Sequence, residues 1–351
     1  MLFDVPFVPD PTYIALLAAN REHLASVYFR LGPDAPDGRM PGIGDVSPQE
    51  IMEGLAALPR VPRYGLLNSR FHDPATLCGE GLRDLIFLLE GYLAAGMLDG
   101  IVYADHYLLM ALSEEAPDVA SSLTAIPSVN FRLDSSERAA ALLDYAASTH
   151  FRPPTKVVLD RPFCHDTERL AEVAGTLRAA FPGLRVGLLA NEGCLYACPF
   201  KAAHEGHVAL SRLRPTKLSE HVKERLGCLR YFCEEPARIF AAPFLRPEDV
   251  PRVEGVADFL KIGGRTRGPA ALRDVVEAYL AGSYQGNLLW LLDTLEGLAG
   301  KLWVENEDVP GEYFDRIDGC PRRCQECGYC GELAVRLVKE REPNLPRLRT
   351  K

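Results

Sequence analysis

The chain has 351 residues, 47% hydrophobic and 25% charged, enough apolar material for one large α/β domain with additions or for two domains. Its 48 acidic against 39 basic residues give a formal charge of −9, so bulk electrostatics disfavours nucleic acid and leaves only a local basic patch to recruit it. No run of about eighteen apolar residues occurs, so insertion into a membrane as an apolar helix is not expected.

The opening segment MLFDVPFVPDP has no basic stretch ahead of an apolar core, so no signal peptide is expected and a reducing cytoplasm is the expected setting. Residues 1–22 read as a lead-in, with helical spacing over 13–24 after Asp10 and Pro11. SVYFRL (26–31) is the first strand. The Gly, Pro and Asp-rich loop 32–45 lies just past it, either lining a site or forming a surface insertion. Ser47, with Glu50 three residues later, opens a helix over 47–58. Strands then alternate with helices: strand 63–69, helix 80–95, strand 99–105, helix 106–116, a strand within 121–131, helix 135–148 capped by Ser135 or Asp134, strand 156–160, helix 166–180 and strand 185–190. A long insertion precedes strand 239–245, which is followed by a short helical stretch at 247–256, strand 257–264 and helix 269–282, with Pro269 in its first turn.

Eight short apolar strands with helical segments between them predict an α/β protein, a (β/α)8 TIM-like barrel with a cysteine-rich C-terminal extension. A doubly wound open sheet is the runner-up, but no G-x-G-x-x-G follows the first strand. The expected boundaries are a barrel over 1–282, with a cysteine-bearing insertion at 191–238, and a helical extension over 283–351. In the extension, 286–303 reads as one amphipathic helix, followed by the turn 320–330, a helix at 332–339 and a basic tail.

Ten cysteines in a reducing setting need an explanation other than disulfides. Cys320, Cys324, Cys327 and Cys330 form C-x3-C-x2-C-x2-C, a compact spacing that suits a 4Fe-4S cluster, with zinc or free thiols as alternatives. Cys194, Cys198, Cys228 and Cys233 bracket the insertion and form a second candidate ligand set, in which one or two are buried thiols on the blander reading. Cys78 and Cys164 read as ordinary thiols or as a completing ligand. The sub-pattern Cys320, Cys324 and Cys327 matches the radical-SAM spacing, but it falls after the barrel instead of in its first loop.

Polar residues cluster at strand ends, where barrel enzymes build their sites: Asn68 and Arg70, Asp105 and His106, Asn130 and Arg132, Asp160 and Arg161, Asn191 and Glu192, then Arg265 and Arg267 after Gly263 and Gly264. The two glycines expose backbone N–H groups, and either arginine offers a fork for a carboxylate or phosphate; an ordinary rim of ion pairs is the alternative. His204 and His207 sit three apart in AAHEGH. The expected catalytic set is Arg265, Arg267, His204 and Glu192. No H-E-x-x-H, G-x-S-x-G or P-loop pattern occurs.

Two stretches resemble a known family. FLKIGGRTRGPAALRDVVEAYLAG (259–282) resembles the segment of collagenase-like U32 peptidases written Leu-Lys-Ile-Glu-Gly-Arg, with Gly263 in place of the glutamate. NEGCLYACPFKAAH (191–204) resembles that family's central cysteine segment. The resemblance, mainly over 185–282, implies a barrel-like catalytic domain and, in many members, a cysteine-held 4Fe-4S cluster. Members include proteins classed as proteases and proteins of oxygen-independent ubiquinone hydroxylation or RNA base hydroxylation. The resulting expectation is an iron–sulfur redox enzyme, an oxygen-independent hydroxylase, with one or two clusters, a small-molecule substrate, an electron donor and room for a protein partner. The alternatives are a U32-type peptidase or other hydrolase, an RNA base-modification protein, and a non-catalytic metal-binding partner protein.

Overall fold

The computed structural model describes residues 1–33, 35, 37, 46–213, 222, 225–341. Eight parallel strands form one sheet: β1 Leu2–Pro6, β2 Leu24–Phe29, β3 Arg63–Leu67, β4 Gly100–Tyr103, β5 Thr124–Pro127, β6 Lys156–Leu159, β7 Arg185–Leu189 and β8 Phe259–Lys261. Their order is β5-β4-β3-β2-β1-β8-β7-β6, so β1 pairs with both β2 and β8. The remaining seam is nearly closed. Thr124 at the start of β5 bridges to Arg152 just ahead of β6, and the Arg152 N–H donates to the Leu123 carbonyl at 2.9 Å. The sheet is a nearly closed barrel in an α/β fold.

The outer face of the strands packs on the helices between them. Val5, Val27, Ile101, Ala125, Val157, Leu188 and Leu260 belong to that large core. The alternate residues point inward and form two smaller apolar groups, Tyr28 with Tyr64, Leu66, Val102 and Ile126, and Ala25 with Val158, Leu189 and Phe259. Inward-facing Gly187 makes room for Phe259, since a Cβ there would lie 2.5 Å from its ring.

Helix starts follow local chemistry. Ser47 and Glu50 form the expected capping box on helix Pro48–Leu55. Ser135 caps Ser136–Ala147 by accepting from the Arg138 N–H, and Pro269 opens Pro269–Ala281.

Three expectations fail. The lead-in contains β1. The apolar run 239–245 is no strand: Pro236 precedes a helical turn, Ala237–Ala241, and the Leu245 N–H joins the mouth by donating to the Ala190 carbonyl at 2.8 Å. Residues 286–303 are not one helix but a turn Leu288–Leu291, a 3-10 turn Glu296–Leu298 and a strand Leu302–Val304, paired antiparallel with Val338–Glu340. Asn287 sets that break, its amide donating to the Leu302 carbonyl at 2.9 Å and its oxygen accepting from the Val304 N–H at 3.0 Å.

The C-terminal segment docks on the barrel through Asp318, which accepts from the Thr167 N–H at 2.8 Å, and through Gly319, whose N–H donates to the His165 carbonyl at 3.0 Å. His165 is buried among Phe244, Tyr313 and Phe314. Burial and nearby Arg322 push its pKa down to about 3, so it is neutral and its Nε2 donates to the Phe244 carbonyl.

Candidate functional site

A cavity of about 620 Å³ opens at the carboxyl ends of the strands, where the sequence places its polar residues. Seven cationic side chains line it, Arg70, Lys156, Arg161, Lys201, Lys261, Arg265 and Arg267, against the carboxylates of Asp4, Glu192, Glu205 and Glu296. A locally cationic cavity in a chain of charge −9 favours an anionic ligand.

One wall is the insertion helix Lys201–Leu213. Lys201, His204, Glu205, Val208 and Ser211 all line the cavity, a stripe at helical spacing. His207 instead faces solvent. The stripe meets residues from three strand ends in a continuous row of charges. Arg161, after β6, pairs through Nε with Glu192, after β7. Lys201 Nζ lies 3.0 Å from the other Glu192 oxygen and 3.8 Å from Glu205. Arg70, after β3, lies 3.6 Å from Glu205 and is held by the Asn130 carbonyl at 2.6 Å.

Apart from Arg70, these groups are almost water-free, which sets their protonation. Burial opposes the charge on Arg161, but Glu192 more than offsets it and the guanidinium stays charged. Burial likewise opposes the charge on Lys201, with Arg161 acting in the same direction, yet nearby Cys194, Glu192 and Glu205 carry its pKa upward. Glu205 goes the other way for a carboxylate: burial raises its pKa, although Lys201, Arg161 and Arg70 pull against that. Among the described residues, neither Glu205 oxygen has a hydrogen-bond donor.

The barrel floor carries a second charged group. Asp4, Ser26 and Lys261 are register neighbours on β1, β2 and β8. Lys156 reaches the same carboxylate from β6, with Nζ 3.0 Å from Asp4 Oδ1, while Lys261 Nζ is 3.1 Å from Oδ2. Burial alone would raise Asp4, but the two lysines bring it down to about 2.

The glycine turn after β8 is held by Asn191, whose Oδ1 accepts from the Gly263 N–H at 2.6 Å. A Cβ at Gly263 would lie 3.2 Å from an Asp293 oxygen, and Gly264 takes φ +111. All four expected catalytic residues, Glu192, His204, Arg265 and Arg267, line the cavity. The Arg265 fork is occupied by the buried Asp37 carboxylate, so it positions the loop segment at residue 37. Arg267 donates to the Trp290 carbonyl at 2.5 Å and stacks 4.9 Å from its ring, and its Nε and Nη1 find no hydrogen-bond partner among the described residues.

The cysteine expectations are corrected. Among the described residues, no group of three or more His, Cys, Asp or Glu side chains is arranged to hold a metal ion. Neither Cys194, Cys198, Cys228 and Cys233 nor Cys320, Cys324, Cys327 and Cys330 form a ligand set for a 4Fe-4S cluster or for zinc, and the iron–sulfur hydroxylase expectation falls with them. Their thiols also differ in exposure. Cys233, Cys324 and Cys327 are exposed, Cys198, Cys228, Cys320 and Cys330 half-buried. Burial raises Cys194 to about 12, with Glu192 acting in the same direction, and Lys201 donates to its Sγ at 3.7 Å. Burial raises Cys330 to about 11, and the neighbouring Cys324, Cys320 and Cys327 add to it. Buried Cys164 is a core thiol and Cys78 an exposed one.

Sequence reasoning missed Asp4, Lys156, Lys201, Glu205 and Lys261. Their signal was a lone charge at an inward position of an apolar strand, as in FLKI and KVVL, and a polar stripe flanking His204.

No protein-family model matches the chain. The uncharacterized protease MJ1657 of Methanocaldococcus jannaschii is 30% identical over 158 residues, 44% of this chain and 46% of the relative. The match thus spans about half the length of that curated relative. The solved structure of the U32 peptidase Mk0906 superposes with TM-score 0.50 at 12% identity, covering 75% of this chain and 92% of its own. That likeness is one of fold. No helix among the described residues is long and apolar enough to cross a membrane. Over part of its length the chain is similar in sequence to the uncharacterized protease MJ1657, and its fold is similar to that of the U32 peptidase Mk0906.

Proposed function

We propose that this protein is a U32-type hydrolase that cleaves an amide bond in a small, negatively charged peptide or peptide-like substrate, with Glu205 as general base. The observation that carries the reading is the row Arg70–Glu205–Lys201–Glu192–Arg161 along the cavity wall. The named relatives, a protease and a peptidase, support the reaction class.

A general base near neutrality needs a raised carboxylate pKa and an open lone pair, and Glu205 has both. It takes a proton from a water whose oxygen attacks the amide carbon. The oxyanion that forms faces Lys201 and Arg70, cations held in place before the reaction begins. Collapse breaks the C–N bond, and the amine leaves with the proton returned from Glu205. The sum is amide plus water to carboxylic acid plus amine. Glu192, clamped between Arg161 and Lys201, positions the lysine. Cys194 does not serve as the nucleophile, since a thiol raised to about 12 stays protonated at neutral pH.

The test is cleavage of a pool of short acidic internally quenched peptides by the purified chain. Glu205→Gln is expected to lower kcat/KM by about 10²–10⁴-fold. The wild-type pH–rate curve rises as pH passes Glu205's elevated pKa, and that limb disappears in the variant. No cleavage by the wild type, or equal cleavage by both, refutes the reading.

A further inference from the structure

The floor of the cavity does not serve the row on its wall. There, two ammonium groups share one carboxylate out of contact with bulk water. Lys156 is the enclosed member, its side chain 1% exposed, donating to Ser26 Oγ at 2.6 Å and lying 4.3 Å from the Tyr64 ring centre. Lys261 is the open member, 12% exposed to the cavity, with Nζ 3.1 Å from the centre of the Tyr28 ring. That ring is fixed, because its hydroxyl donates to the Ile262 carbonyl at 2.5 Å. Two cations against one anion leave a surplus charge, and a buried lysine beside another cation sheds its proton readily.

We propose that Lys261 is a carbonyl-reactive amine that holds a small 2-oxo acid as an imine on the barrel floor. The aldehyde or ketone carbon is the partner of the amine. The carboxylate of the ligand answers the surplus of cations around the cavity. In the step, the neutral Nζ attacks the carbonyl carbon and a C–N bond forms. The carbonyl oxygen then leaves as water, carrying both hydrogens of the amine, and no electron is transferred. Lys156 supplies a proton to the departing oxygen and recovers it from the nitrogen. Asp4 stays ionised throughout and holds both lysines in place. The groups facing Lys261 are Asp4, Lys156 and Arg265, with the Tyr28 ring beneath it. Burial lowers its pKa first, Lys156 and Arg265 lower it further, and Asp4 opposes them, leaving it at about 8. The proposal is independent of amide cleavage, since the wall and floor are separate groups and the assay below does not measure hydrolysis.

The full-length chain is incubated with glyoxylate, reduced with borohydride, digested and mapped by mass spectrometry. Reduced adduct on Lys261 is expected to exceed that on exposed Lys339 by at least about tenfold at pH 7, the direction set by the lower pKa of the floor amine. Its labelling rate should reach half-maximum near pH 8. Acetaldehyde, which lacks the carboxylate, should label Lys261 several-fold less. Lys261→Arg removes the adduct. Because Lys261 and Lys339 are compared within one wild-type sample, the outcome does not depend on the variant folding. Labelling of Lys261 no faster than Lys339 overturns the imine proposal, and equal labelling by acetaldehyde overturns the 2-oxo acid assignment.

Discussion

The barrel cavity and the turn 320–330 are both crowded with reactive side chains, yet they are built in opposite ways. The cavity gathers single residues from distant points of the chain. Asp4, Arg70, Arg161, Glu192, Lys201 and Lys261 come from different strands, strand ends and the insertion helix, and all line one space. Each charge there is held by another. The turn gathers four cysteines within eleven residues, but two of them face solvent and the four do not form a ligand group. Its firm contacts belong to neighbours instead: Arg322 donates to the Ala241 carbonyl at 3.0 Å and stacks 4.1 Å from the Tyr196 ring. Density along the sequence and convergence in space are different properties, and reaction chemistry needs the second.

After the Glu205→Gln loss described above, the largest effect that tests this contrast is on stability. Asp4→Asn should cost about 3–5 kcal/mol in denaturant unfolding, since it leaves Lys156 and Lys261 buried with no anion. A loss below about 1 kcal/mol would mean that the floor charges are already neutral in the folded state. The acid side gives a smaller effect. Asp4 moves from 3.8 to about 2 on folding. Its folded pKa is depressed, so its contribution is present above pH 3.8 and lost as pH falls through about 2. That is about 2 kcal/mol over the window. The wild type should show this slope between pH 4 and 2, and Asp4→Asn should flatten it.

How much of this was legible follows from what each pattern encodes. Apolar runs separated by helical spacing gave the barrel, because burial on both faces writes itself into every strand. The tally of eight strands held only through two offsetting errors. β1 was hidden by Pro6 and by Asp4, whose charge breaks the apolar run. IFAAPFL mimicked a strand, because a short buried run looks alike in helix and strand. At the site, Arg70, Arg161 and Glu192 were visible from position alone, at strand ends. Lys156 and Lys261 were not, since seeing them requires knowing which face of the strand turns inward. Lys201 and Glu205 flank a histidine that was noticed, and only helical phase joins them to it. Cysteine spacing carried the least, for it gives the distance along the chain and not the direction of the thiols.

The smallest predicted effect is the sharpest for the comparison. Cys324→Ser and Cys327→Ser remove exposed thiols that hold nothing in this fold, so each should change stability by no more than about 0.5 kcal/mol and leave peptide cleavage at the wild-type rate. Serine keeps the size of the side chain and loses its affinity for soft metals. A chain whose turn served as a metal-held staple would respond differently: either substitution would cost several kcal/mol, because metal binding energy becomes folding energy. Thermal melts of the two variants in the presence and absence of a chelator separate these cases. Coincident melts uphold the division between a working cavity and a turn that packs by Arg322 and its neighbours. A chelator-dependent fall in the wild type that both serine variants lack would move the turn to the other side of the comparison.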